Sequence, residues 1–110
     1  MKQIKKPSLA SRKRNVTPSI TSVRRTVLPI LKRHEVKRAA LFGSFARGKP
    51  TPQSDLDFLI EFRGQKSLLD LVALKLDLEK KTGRKVDVLT YHALHPAIRE
   101  RILSEQVAIL

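Results

Sequence analysis

The sequence lacks cysteine and tryptophan, and its aromatic residues amount to one tyrosine and four phenylalanines. Without cysteine, disulfides and cysteine-ligated metal sites are excluded, which agrees with a reducing compartment. The scarcity of aromatic residues predicts an aliphatic core. No apolar run reaches the ~18–20 residues that a membrane-spanning helix requires, so we expect a cytoplasmic protein. The length of 110 residues is that of one domain.

The first 16 residues contain no acidic residue and show no hydrophobic periodicity. This composition predicts a disordered basic tail, followed by a single domain over residues 17–110. The formal net charge of +13 favours anionic partners. The tail is therefore interpreted as a solvated arm, with a nucleic-acid-binding arm or an organellar transit segment as alternatives. Its basic residues are Lys2, Lys5, Lys6, Arg12, Lys13 and Arg14.

After the tail, the hydrophobic pattern changes repeatedly between helical and strand spacing. Thr17 is the expected cap of the first helix, and Pro29 is expected to kink or restart it. A short return between the first two strands favours an antiparallel pair, whereas a helical crossover favours a parallel second pair. The predicted fold class is α/β (α+β), a small mixed sheet of three to four strands covered by helices. The predicted elements are helices at 17–34, 67–82 and 96–104, strands at 36–42, 55–62 and 85–89, a short helical turn at 44–48 and an apolar end at 107–110.

The predicted helix at 67–82 has a clear start and stop, with Ser67 as cap and Gly83 after its last residue. Its apolar residues cover more than half of the helix circumference, which is wider than one sheet-facing stripe requires. The excess predicts that part of this helix contacts a partner.

Three aspartates on predicted strands form a candidate catalytic metal site. Asp55 and Asp57 are two residues apart, so both side chains leave the same face, ~6–7 Å apart at the backbone. Asp87 lies between Val86 and Val88, and it points to that same face if the two valines face the core. Grouped carboxylates repel one another unless cations lie between them, and Mg²⁺ takes oxygen ligands and shares its coordination sphere with phosphates. Two such ions ~3.5–4 Å apart serve in-line displacement at phosphorus.

A glycine-serine pair where the first predicted strand ends forms a candidate phosphate-binding element. A strand that enters glycine and then a helical start leaves backbone N–H groups free to hold a phosphate. The Ser44 hydroxyl adds a donor, and Gly43 has no side chain to keep a phosphate away. Arg47, on the same turn, is placed to contact a phosphate or released pyrophosphate. The alternatives are that Ser44 only caps the short helix and that Arg47 is an ordinary surface arginine.

Gly43-Ser44, a ten-residue spacer, Asp55-x-Asp57 and the later strand aspartate Asp87 together resemble the signature of the DNA-polymerase-beta-like nucleotidyltransferase superfamily. The Gly-Ser-Phe-Ala-Arg-Gly run at 43–48 and the chain length resemble its minimal nucleotidyltransferases, the antitoxin partners of HEPN-domain toxins. The resemblance covers about residues 18–110. It implies a polymerase-beta-like nucleotidyltransferase fold and transfer of AMP from ATP to a hydroxyl, with two Mg²⁺. In the antitoxin members, that hydroxyl belongs to a tyrosine of the toxin.

By position, the resemblance implies that Asp55 and Asp57 bind both metal ions. Asp87 would complete the catalytic site and help to deprotonate the acceptor, while Gly43 and Ser44 would hold the triphosphate. The resemblance supplies no role for the basic tail.

Other interpretations remain open at this stage. In one alternative, Asp55 and Asp57 are solvated acids on an exposed edge strand. Glu61 is a fourth acid or, by preference, a residue at the rim, and His92 and His95 lack the partners of a metal pair. The function is alternatively that of a non-catalytic antitoxin, a nucleic-acid-binding module, or a transferase that modifies a small molecule or RNA with help from a partner chain.

Overall fold

The computed structural model describes residues 19–48, 50–51 and 54–110. These residues form a four-stranded mixed sheet with helices on both faces, in agreement with the predicted fold class. The predicted basic tail lies outside them. None of the described helices is both long and apolar enough to cross a membrane. The elements in chain order are α1 (Ile20–Arg33), β1 (Val36–Phe42), β2 (Leu56–Phe62), α2 (Leu68–Thr82), β3 (Val86–Thr90), a 3₁₀ turn (Tyr91–Ala93), α3 (Pro96–Glu105) and β4 (Val107–Ala108).

The strand order is β3-β2-β1-β4. β1 pairs with β2 in the antiparallel sense and β2 with β3 in the parallel sense, which confirms both predicted pairings. The parallel pair requires a crossover, and α2 supplies it. The residues of the predicted apolar end form β4, which pairs with β1 on the side away from β2. The backbone of Ala39 also forms hydrogen bonds with Ile109 and Leu110.

The helix ends follow from local capping. The N-cap of α1 is Ser19, whose hydroxyl accepts the Ser22 N–H at 3.1 Å. The prediction that Thr17 caps this helix is therefore wrong, although Thr17 itself lies outside the described residues. The predicted restart at Pro29 is also wrong, because α1 continues through it as one helix. Pro29 has no N–H to donate to the carbonyl one turn earlier in the helix. Because Pro29 is exposed, solvent can donate a hydrogen bond to that carbonyl instead.

α2 begins and ends as predicted. Ser67 and Asp70 exchange side-chain and backbone hydrogen bonds in a capping box. Gly83 ends the helix in the left-handed conformation, at φ +70°, which glycine adopts without a steric penalty. The crossover helix is thus defined by its own sequence at both ends.

The core has two parts, one on each face of the sheet. Alternate residues of β2 (Leu56, Phe58 and Ile60) are fully buried beneath α1 and α2. Leu59 points the other way and packs with Leu94 and Ile102 beneath α3. Most of these side chains are aliphatic, as predicted. Because both faces of β2 are covered, closely packed side chains hold this strand, which begins beside Asp55, in place.

The outer surface of α2 carries apolar side chains that nothing in the described residues covers. Leu69 is 78% exposed, whereas Leu74 and Leu78 on the inner surface are 0% exposed. Leu68, Val72 and Leu76 are also exposed. The excess apolar width predicted from the sequence is therefore present at the surface, and the partner contact inferred from it stays a prediction.

We expect Leu74→Ala to lower the free energy of unfolding by about 2–5 kcal/mol, because it leaves a cavity in a packed core. Leu69→Ala is the matched control on the same helix, and we expect it to change the free energy by less than about 0.5 kcal/mol. Urea denaturation followed by circular dichroism measures both. Equal losses in the two variants would contradict this assignment of the inner and outer surfaces of α2.

Candidate active site

The candidate site is built around one row of residues that crosses three strands. Phe42 of β1 pairs with Asp57 of β2, and Asp57 pairs with Asp87 of β3. Residues paired across adjacent strands lie about 5 Å apart and leave the same face of the sheet. The two aspartates are therefore neighbours on one face, and Gly43 follows at the end of the row.

Asp57 is a half-buried carboxylate at the centre of this row. Burial, followed by the negative charges of Asp87 and Asp55, raises the pKa of Asp57 to about 6. Side-chain hydrogen bonding toward Asp87 acts on the pKa in the same direction, whereas the positive charge of Arg47 opposes the increase. The site therefore concentrates negative charge that the chain neutralises only in part.

Asp55 lies just before β2 and is half-buried, whereas Asp87 on β3 is exposed. In the part of the chain that the structure describes, no three acidic or histidine side chains are close enough to surround one metal ion. Asp57 and Asp87 are adjacent predicted ligands, and Asp55 is near enough to raise the pKa of Asp57. The three-aspartate metal site stays a prediction. The donors fit Mg²⁺, since all are carboxylate oxygens crowded by like charge.

The glycine-serine element forms consecutive turns over 43–48, so the predicted helical turn is present but does not extend into a helix. The Arg47 N–H donates to the Gly43 carbonyl at 3.0 Å, which closes a single helical turn. The chain then leaves the helical conformation at Gly48, where φ is +75°. A single turn still presents its first amides outward, as a helix N-terminus does. The phosphate-binding role predicted for Gly43 and Ser44 remains compatible with this shape.

Gly43 lies against Asp57. A Cβ atom built on Gly43 would overlap Asp57 Oδ2 and lie 3.1 Å from Asp57 Cγ. The φ of Gly43 is +75°, in the left-handed region that favours glycine. Glycine at this position therefore allows the turn and the carboxylate to approach each other closely.

Phe45 anchors the turn to the core. Its side chain is 1% exposed and belongs to the cluster beneath α1 and α2. Ser44, the residue before it, is half-buried, and its hydroxyl has no hydrogen-bond partner among residues 19–48, 50–51 and 54–110. The alternative that Ser44 only caps a helix is thus not supported, and its hydroxyl is available to a ligand.

Arg47 extends from the turn to the last helix. Its guanidinium lies 3.5 Å from the Glu105 carboxylate. The same side chain acts electrostatically on Asp57, so its positive charge lies beside the carboxylate group. This ion pair is exposed and weak. An incoming phosphate with a higher negative charge can therefore compete with Glu105 for Arg47, and the predicted phosphate contact stays a prediction.

The polar residues outside this group have structural partners. His34 Nε2 lies 2.6 Å from Asp77 Oδ2, and His95 Nδ1 accepts the Ala97 N–H at 3.0 Å as the cap of α3. Glu61 lies four residues beyond Asp57 on the strand and 3.9 Å from Lys37. The interpretation of Glu61 as a rim residue agrees with this position, at a distance of about 13 Å along the strand.

Sequence reasoning missed Arg84, which precedes β3. Its Nη1 donates to the Ser54 carbonyl at 3.0 Å, immediately before Asp55, and its guanidinium lies 5.6 Å from the centre of the Phe45 ring. The sequence offers no periodic or motif signal for this residue, because the contacts arise only after the three segments assemble.

The comparisons with known proteins agree with this architecture. The family model described as a nucleotidyltransferase domain matches residues 24–109. The chain therefore belongs to the nucleotidyltransferase domain family.

Within that family, the chain is 51% identical over 92 residues to a candidate protein adenylyltransferase of Methanocaldococcus jannaschii, and the match covers 84% of this chain and 99% of that one. A solved structure named as a candidate minimal nucleotidyltransferase is 40% identical, has a TM-score of 0.69, and is matched over 80% of this chain and 90% of its own. The fold also resembles a structure of a tri-AMPylated Shewanella oneidensis HEPN toxin in complex with its MNT antitoxin. That match has a TM-score of 0.65 at 12% identity, over 82% of this chain and 71% of that one.

We expect Gly43→Ala to destabilise the protein more than Gly64→Ala. Both glycines have positive φ, at +75° and +67°, so alanine costs about 1–2 kcal/mol of backbone strain at either position. A methyl group at Gly64 meets no atom within 4 Å, whereas at Gly43 it overlaps the Asp57 carboxylate. Thermal unfolding compares the two variants. Equal changes in Tm would contradict the close approach of the turn to Asp57.

We expect Asp57→Asn to stabilise the metal-free protein at alkaline pH. Folding raises the pKa of this carboxyl from 3.8 to about 6, so the folded state disfavours its charged form. The free energy of unfolding therefore falls as pH rises from 4 to 6, and the whole loss is present above pH 6. After allowance for solvent screening, the gain at pH 8 is about 1 kcal/mol, falling to zero below pH 4.

Urea unfolding in EDTA at several pH values measures this difference. Asp70→Asn is the control with the opposite sign, because the hydrogen bonds from Ser67 lower the pKa of Asp70. Asp70 thus contributes stability above its ordinary pKa, and that contribution disappears as pH falls through the lowered value. A loss of stability in Asp57→Asn at pH 8 would contradict the electrostatic description of the site.

Proposed function

We propose that this chain is a Mg²⁺-dependent protein adenylyltransferase that transfers AMP from ATP to a tyrosine hydroxyl of a partner HEPN-domain toxin and so acts as its antitoxin. The observation that carries the proposal is the pairing of Asp57 with Asp87, with Gly43 against Asp57, Asp55 nearby and Arg47 on the turn that begins at Gly43. A phosphate-binding turn in contact with a carboxylate group is the arrangement that nucleotidyl transfer needs.

The reaction forms a bond between the acceptor oxygen and the α-phosphorus of ATP and breaks the bond from that phosphorus to the pyrophosphate oxygen. Asp55, Asp57 and Asp87 would hold the ions, and Mg²⁺ when bound supplies positive charge to the reacting phosphate oxygens. The backbone and hydroxyl of Ser44 would orient the triphosphate. Arg47 would offset charge on the departing pyrophosphate, and Asp87 would accept the proton of the acceptor hydroxyl.

The relatives support the transferred group and the kind of acceptor. The Methanocaldococcus protein is named for adenylyl transfer to protein and shares half of its aligned residues with this chain. The Shewanella complex contains an AMPylated HEPN toxin bound to an antitoxin of this fold.

We expect the purified chain to transfer label from α-³²P-ATP to a partner HEPN-domain toxin, in the presence of Mg²⁺. Asp55→Asn with Asp57→Asn should reduce transfer by at least 10³-fold, since amides keep the shape of the carboxylates but lose the charge that binds the ions. Glu61→Gln is the matched control, an acid on the same strand outside the group, and should retain activity within about threefold.

Toxin neutralisation in cells provides the second measurement. The double-asparagine variant should fail to protect, while Glu61→Gln should protect fully. If the double variant protects as well as the parent chain, the antitoxin acts by binding alone and the proposed catalytic function is wrong.

A further inference from the structure

Arg84 lies where the three segments of the candidate site meet. The turn over 43–48 carries Phe45, and the start of β2 follows Ser54. Arg84 itself stands two residues before β3. Its guanidinium donates to the Ser54 carbonyl at 3.0 Å and lies over the Phe45 ring at 5.6 Å. The Arg84 side chain therefore joins the segment before β3 to the turn over 43–48 and to the start of β2.

A backbone bond reinforces the same junction. The Leu56 N–H donates to the Lys85 carbonyl at 3.0 Å, so the residue after Arg84 is joined to the residue after Asp55. Arg84 and this bond hold Ser54 and Leu56, the two neighbours of Asp55. Asp55 lies before the first ladder residue of β2, where the regular strand does not yet restrain it. Its position thus depends on the two contacts.

Arginine suits this junction because its guanidinium is planar and has five donors. It can donate in its plane to a carbonyl and present its face to an aromatic ring at the same time. A lysine in its place can reach one partner, but its point charge cannot reproduce the planar arrangement. The half-buried position of Arg84 limits the solvent that competes for these contacts.

From these contacts we infer that Arg84 is a positioning residue that sets the distance between the phosphate-binding turn and Asp55. The inference rests on the proposed function for its chemical consequence. A displacement of about 1 Å between a bound phosphate and the carboxylates that hold its metal costs binding and rate, since both need all contacts at once. Arg84 itself contacts neither phosphate nor metal in this role.

The test compares Arg84→Gln with Arg24→Gln in the full chain. Arg24 is a matched control, because its Nε also donates to a backbone carbonyl at 3.0 Å, that of Ile109, away from the site. Isothermal titration with Mg²⁺ and a non-hydrolysable ATP analogue measures Kd, well below the Tm of each variant. We expect Kd to rise at least fivefold in Arg84→Gln and to stay within twofold in Arg24→Gln. Arg84→Lys should give an intermediate value and serves as the test protein if Arg84→Gln does not fold.

Hydrogen exchange without ligand provides a second measurement that does not depend on the proposed function. Faster exchange over 43–48 and 54–57 in Arg84→Gln, but not in Arg24→Gln, supports the inference. Unchanged exchange in both segments, or an unchanged Kd in Arg84→Gln, overturns it. If the parent chain binds the analogue and transfers no AMP, the proposed function fails while the exchange result still decides the role of Arg84.

Discussion

The parallel pairing of β2 with β3 is the constraint on which the candidate site depends. It places Asp57 opposite Asp87, so two carboxylates stand one strand spacing apart on the same face. Neither can move away, because Phe58 and Val86 beside them are fully buried in the core on the other face. The packing of the core therefore holds the two carboxylates close together despite their mutual repulsion. Burial of Asp57, followed by this repulsion, raises its pKa.

The turn after β1 depends on the same register. Phe42 pairs with Asp57, so the chain enters Gly43 directly beside the carboxylate, and only glycine fits there without moving it. Phe45, two residues later, returns to the core and fixes the turn against the sheet. The backbone predicted to bind phosphate and the carboxylate predicted to bind metal are therefore brought together by strand pairing and one buried ring.

Much of this arrangement could be predicted from sequence, since it rests on local rules. Alternation located β2, the cap Ser67 located the start of α2, and the spacing of Asp55 and Asp57 placed them together. The errors arose where two local signals competed. Thr17-Pro18 has the form of a helix start, but Ser19 supplies the hydrogen bond that caps α1. The contacts of Arg84 join segments distant in sequence, so they have no local signature.

The layers of the fold also separate the exposed apolar surface of α2 from the candidate site. The exposed leucines of α2 lie on the outside of the helical layer that covers Phe58 and Ile60. Asp57 and Asp87 lie on the opposite face, beside Leu59 and the α3 layer. Under the proposed function, an acceptor hydroxyl approaches the carboxylates from the side of Arg47 and α3, because the sheet and α2 cover the other face. The partner contact predicted for the α2 leucines therefore lies on a different face from the proposed site of transfer.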